Sequence, residues 1–212
     1  MKDRHFDLHC RQCARLSVFL DEVHELHPDY HARPVPPFGV QDPDLLIVGL
    51  APGMHGANAT GRPFTGDYAG VILYKLLYEY GFSNQETSVS RDDGLLLQRC
   101  RITNAVKCLP PQNKPLGSEI SNCNDFLSAE ISSLKEGAVV LALGTVAHRA
   151  VLRALELRPK DYPFGHDRQY ALSDGRWLID SYHCSRYNTQ TKRLTEAMFR
   201  QVFEHICAKI DP

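Results

Sequence analysis

Short apolar runs recur along the chain, each bounded by Gly, Pro or charge, and between them lie stretches in which apolar residues return every three or four positions. The runs at 45–50, 101–106, 138–143 and 177–182 predict strands, and their near-continuous apolar character predicts burial on both faces, as in a parallel sheet. Helical spacing is found at about 10–27, at 68–80 closing at Gly81, at 118–135 closing at Gly137, at 145–157 ahead of Pro159, and at 192–209. Crossovers of that length suit parallel pairing, so the fold class is α/β with four parallel strands. Pro-rich stretches at 33–38 and 109–115 predict rigid surface loops, and 83–94 predicts a polar excursion. There is no internal repeat and no low-complexity tract.

Residues 49–67 break this alternation. They follow an apolar run and hold five glycines, two prolines and one each of His, Asn, Arg, Phe and Asp, a content that packs no core but allows close backbone approach to a ligand. A long structureless connection is the bland alternative. Asn104 near the end of its predicted strand, and Gly144 with Thr145 and His183 just after theirs, likewise fall at the carboxyl edge, where ligands of open α/β sheets bind. One shared pocket is therefore expected.

Composition narrows the picture. At 212 residues, 43% hydrophobic and 23% charged, the chain suits one ordinary domain over 1–212. A formal net charge of −1 gives no global attraction to nucleic acid, so contact with a polyanion requires a local patch. No apolar run approaches 18 residues and Met1 to His5 begin no signal peptide, so a cytoplasmic protein with no membrane partner is expected. Reduced thiols in that compartment turn attention from disulfides to ligation. Cys10 and Cys13 form one tight pair; Cys108 and Cys123 are spread across the Pro110-Pro111 loop. One tight pair plus two separated thiolates favours a [4Fe-4S] cluster over zinc, which usually takes two tight pairs, while four inert core cysteines are the bland alternative. Cys100 and Cys207 are expected to fill the core, and Cys184 has no evident base partner apart from His183.

In combination these segments resemble uracil-DNA glycosylases of the iron-sulfur type, most closely family 5 and next family 4. The resemblance rests on Gly49-Leu50-Ala51-Pro52-Gly53 through His55-Gly56, Asn58, Thr60-Gly61-Arg62 and Phe64-Thr65-Gly66-Asp67, on Thr103 to Cys108 with Pro110-Pro111 and Asn113-Lys114-Pro115, and on His183 to Asn188. Leu50 and Asp67 separate it from family 4, which carries an acid after the first glycine and no Asp at the loop's end. The resemblance implies a three-layer α/β/α fold around a central four-stranded parallel sheet, an N-terminal segment holding a structural [4Fe-4S] cluster on Cys10, Cys13, Cys108 and Cys123, a monomer, and uracil-containing DNA as partner. Departures stand at Met54, where the family has a small residue, at Ala59, where it has Arg, and at Cys184, where it has Pro. Met54 is expected to narrow the base pocket.

The chemistry implied is flipping of uracil into a pocket and hydrolysis of its N-glycosidic bond, leaving an abasic site. Ala51, Pro52 and Gly53 are expected to contact substrate through backbone donors, and Phe64 to stack the base, or else to anchor the loop. Asn104 suits the O4 and N3–H edge, with strand-exit capping as its alternative. His183, as a neutral donor to O2, suits the leaving anion; Asp67 suits water and the cationic sugar, or caps the next helix. Arg62, Lys107, Lys114, Arg186 and Lys192 are the expected phosphate contacts, and Tyr187 the side chain filling the gap left by the flipped base. A broader glycosylase acting on hypoxanthine, xanthine or exocyclic adducts, and a non-catalytic iron-sulfur electron-transfer protein, are the competing expectations.

Overall fold

In the computed structural model, which describes residues 6–211, a six-stranded sheet divides two helical layers; Met1 to His5, on which the signal-peptide reading rests, lie outside the described residues. The strands are β1 (Phe38–Gly39), β2 (Leu45–Gly49), β3 (Cys100–Asn104), β4 (Val139–Leu143), β5 (Gln169–Ala171) and β6 (Trp177–Ser181), in the order β1-β3-β2-β4-β6-β5. The central four are parallel, as expected. Short antiparallel β1 and β5 extend each edge, which corrects the four-strand expectation to six. Neither edge strand has an apolar run of its own; each exists by pairing with its neighbour's free edge.

Alternation along β2 explains the layers. Leu45 and Ile47 point to one face, where they meet α3 (Tyr68–Glu79) and α7 (Glu196–Ile210); Leu46 and Val48 point to the other, where they meet α4 (Gly117–Ser132) and α5 (Thr145–Ala154). All four β2 side chains are fully buried, each contributing roughly 1.5–3 kcal/mol of apolar transfer. Beyond β2 the chain makes the short α2 (Ala57–Thr60) and then α3, which covers one face, while α5 after β4 covers the other, so a crevice opens between these strand ends. A third cluster joins α1 (Ala14–Leu26) to the 30–35 and 109 segments through Leu20, Val23, Ala32 and Leu109. The 33–38 stretch is thus not a surface loop: Pro34 and Val35 are buried, and Val35 N donates to Lys107 O at 2.7 Å. No described helix is long and apolar enough to cross a membrane.

Candidate active site

The loop after β2, the end of β3 and the end of β6 enclose one cavity of about 330 Å³, lined by Leu50, Ala51, Gly53, Ala57, Phe64, Asp67, Ala69, Asn104, Asn113, His183 and Ser185. That volume is at the low end of small-ligand sites. The structure therefore brings together Ala51, Gly53, Phe64, Asp67, Asn104 and His183. Pro52 is buried behind the wall, and Gly144, the N-cap of α5, stays outside the lining. Asn113 and Ser185 are lining residues that the sequence marked only as parts of motifs.

Local rules place each wall. Gly49 ends β2 because nothing larger fits: a Cβ there would stand 2.4 Å from Asn104 Oδ1 and 2.8 Å from the Phe64 ring. Asn104 pairs with Gly49 across the ladder and is almost fully buried. Phe64 holds a left-handed φ of 54°, a conformation that costs a bulky residue of order 1–3 kcal/mol and persists only under outside constraint. Its ring faces that of His183 at 5.9 Å between centroids and 26° between planes. The His183 carbonyl is held by Asn188 Nδ2 at 2.8 Å, on the short helix α6 (Arg186–Gln190).

Electrostatics separate the two ionisable groups. Burial pushes His183 down to about 4, so its imidazole is neutral at physiological pH and presents a donor. Burial also raises Asp67 above the usual carboxylate range, against hydrogen bonds from Gly70 and Ala69 amides that favour the anion. Asp67 is the N-cap of α3, with Oδ1 accepting from Gly70 N at 2.9 Å, and it lines the cavity as well. Cys184 is fully buried, and burial with the nearby Asp67 charge pushes its thiol up, away from nucleophilic use.

Two of the expected DNA contacts are corrected. Arg62 is only 3% exposed and pairs with Asp93 at 2.6 Å; Lys107 is 2% exposed and pairs with Glu130 at 2.9 Å, with Thr103 Oγ1 also accepting from its ammonium. Neither reaches a surface. Lys114, Arg186, Tyr187 and Lys192 are exposed, Tyr187 at 71%, and the Arg186 guanidinium stands over the Tyr68 ring at 5.0 Å. Met54 turns from the cavity to pack on the α1 cluster, so it does not narrow the pocket. His55 accompanies it, with Nδ1 2.9 Å from Tyr30 Oη.

Cys10, Cys13, Cys108 and Cys123 line one small cavity with Leu16, Val106 and Phe126, although they are spread over more than a hundred positions. Two N–H groups point at its sulfurs, Lys107 N to Cys123 Sγ at 3.3 Å and Asn122 Nδ2 to Cys13 Sγ at 3.5 Å. No disulfide links them. Among the described residues, no three His, Cys, Asp or Glu side chains converge as ligands of a single ion.

The family model of the uracil DNA glycosylase superfamily matches residues 36–207. The chain is 46% identical to a type-5 uracil-DNA glycosylase of Thermus thermophilus over 91% of this chain and 90% of that protein. It is 40% identical to a type-5 uracil-DNA glycosylase of Pyrobaculum aerophilum over 95% and 89%. A type-4 uracil-DNA glycosylase of Archaeoglobus fulgidus is 26% identical over 96% and 90%. With a family model spanning most of its length and relatives at this identity, the chain belongs to the uracil DNA glycosylase superfamily.

Proposed function

We propose that this chain, acting as a single unit and a monomer in the cytoplasm, hydrolyses uracil from DNA by water attack and leaves an abasic site. The observation that carries this is one cavity combining an aromatic face, an amide, a neutral imidazole and a carboxylate at a single sheet edge. Phe64 stacks the flipped pyrimidine. A base sandwiched between two rings needs about 7 Å, so the 5.9 Å between Phe64 and His183 leaves His183 to meet the base at its edge rather than its face. Neutral His183 donates to the uracil oxygen on which charge develops as the glycosidic bond breaks. Asn104 reads the opposite edge with both donor and acceptor. Asp67, one oxygen fixed by the α3 amide, orients the attacking water and stabilises the cationic sugar with the other.

Lys114, Arg186 and Lys192 meet phosphates, and Tyr187 enters the gap in the duplex. The four thiols hold a [4Fe-4S] cluster with a structural task, tying α1 to the Pro110 loop beside the pocket; their partly buried, N–H-assisted sulfurs fit such a group. Brown protein with visible absorbance, iron and sulfide supports this, whereas colourless, zinc-loaded protein overturns it.

The small walls at Ala51, Gly53, Ala57 and Ala69 favour a second reading in which larger damaged bases also enter. Oligonucleotides carrying single uracil, hypoxanthine, xanthine or an exocyclic adduct separate the two. We expect uracil release, with strand scission only after hot alkali. Folded protein that releases no base from any of them sinks the proposal in favour of a non-catalytic iron-sulfur protein.

A further inference from the structure

Phe64 keeps its left-handed backbone because its neighbours are tied down on every side. Tyr74 Oη donates to Pro63 O at 2.8 Å, and Gly70 leaves room for Phe64 O, which a Cβ there would approach to 1.8 Å. Thr60 Oγ1 also donates to the Arg62 and Thr65 carbonyls at 3.4 Å, and further ties come from residues 83–95, the stretch with no role in the chemistry above. Thr65 Oγ1 and Ser88 Oγ are 2.6 Å apart, and Arg62 Nε donates to Thr65 Oγ1 at 3.0 Å. The Arg62 guanidinium in turn reaches Ser90 O and pairs with Asp93, whose side chain is 7% exposed.

Asp93 is built as an anchor. Its carboxylate accepts from the amides of Val89 at 2.8 Å, Ser90 at 3.3 Å and Leu95 at 3.0 Å, so it folds its own loop while holding Arg62. Burial opposes its charge, but the Arg62 bond and these amides outweigh burial and hold the carboxyl well below the usual range. The loop is tied at its root as well, through the Ser83–Leu97 bridge and the bond from Leu96 N to Asn84 Oδ1 at 2.7 Å.

We propose that Asp93, acting through Arg62 and assisted by Ser88, is a positioning residue that holds Phe64 in its strained conformation, making residues 83–95 a buttress of the base pocket. The proposal rests on the assignment of that cavity to a flipped uracil. A buried charge pair 31 residues apart, hydrogen-bonded to Thr65 beside a strained aromatic, is more than loop closure requires.

Two readouts test it. Single-turnover uracil release is measured for Asp93→Asn, Phe64→Leu and the double variant. We expect Asp93→Asn to slow release on the order of tenfold or more in the parent and less than about twofold in the Phe64→Leu background, because the ring it positions is already gone. Equal slowing in both backgrounds, or none in the parent, overturns the proposal. Should Asp93→Asn fail to fold, Ser88→Ala, which strands no charge, replaces it in the same cycle with the same criterion. Independently of activity, amide hydrogen exchange at 64–66 should accelerate in Asp93→Asn or Ser88→Ala, and unchanged exchange in both overturns the proposal. Absence of base release by the parent protein instead counts against the uracil assignment, and the exchange measurement then judges the buttress alone.

Discussion

His183 and Asp67 share one cavity and one cause of perturbation, yet burial drives them apart because it penalises a cation in one and an anion in the other. A reaction that needs neutral His183 and ionised Asp67 loses rate only toward acid. The profile of single-turnover rate against pH should be flat through neutrality and fall on an acid limb to which both Asp67, raised by burial, and His183, lowered to about 4, contribute. Asp67→Asn should leave an acid limb set by His183 alone and lower the plateau by roughly 10²–10³, and His183→Gln should lower the plateau by a similar factor. Stability moves with the same group. The folded pKa of His183 lies below its unfolded value of about 6.5, so the unfolded chain binds more protons between about 4 and 6.5 and stability falls as pH drops through that window. Urea denaturation of His183→Gln across this range should show a shallower fall. The residues of the cavity were readable because Phe64, Asn104 and His183 stand near strand ends in segments that pack no core, and Asp67 was readable as a helix cap in the same loop. Arg62 and Lys107 were not, since a cation in a sequence reads as surface until its buried partner is located, and Asp93 and Glu130 are 31 and 23 residues away.

Among the elements, α3 shows tertiary contact overruling local preference. Gly70 sits in its first turn, where Ala would ordinarily add about 1 kcal/mol, but the Phe64 carbonyl occupies the space a methyl group needs. Gly70→Ala should therefore destabilise by about 1–3 kcal/mol in denaturant titration and weaken uracil release, the opposite sign from helix propensity. Strand β6, which delivers His183, is anchored to α5 by His148: Nδ1 is 2.8 Å from Asp180 Oδ1 and Nε2 2.9 Å from Tyr162 O. His148→Ala leaves the fully buried Asp180 without that partner and should cost about 3–5 kcal/mol, with His148→Gln recovering part of it. The four parallel strands were readable because their apolar runs are covered on both faces. β1 and β5, with two and three residues, carry no such signal. Met54 was misjudged for a related reason: position in a ligand-holding loop does not say which side of the loop a side chain takes, and here α1 offered an apolar surface behind it.

For the molecule as a whole, a net charge of −1 means that DNA affinity depends on where the exposed cations sit. Removing Lys114, Arg186 or Lys192 should each reduce the slope of log affinity against log salt by about one unit or slightly less, independent of sequence. Arg62→Gln and Lys107→Met should leave that slope unchanged while lowering stability, which separates internal ion pairs from phosphate contacts in one titration series. Both the surface and the buried pairs frame a cavity assembled from three strand ends. Phe64 and Asp67 arrive on the segment after β2, Asn104 on β3, and His183 on the segment after β6. Each part can therefore be exchanged without redrawing the others: the β2 segment can change its side chains while His183 stays fixed after another strand. Such a molecule is open to having its selectivity re-engineered one segment at a time.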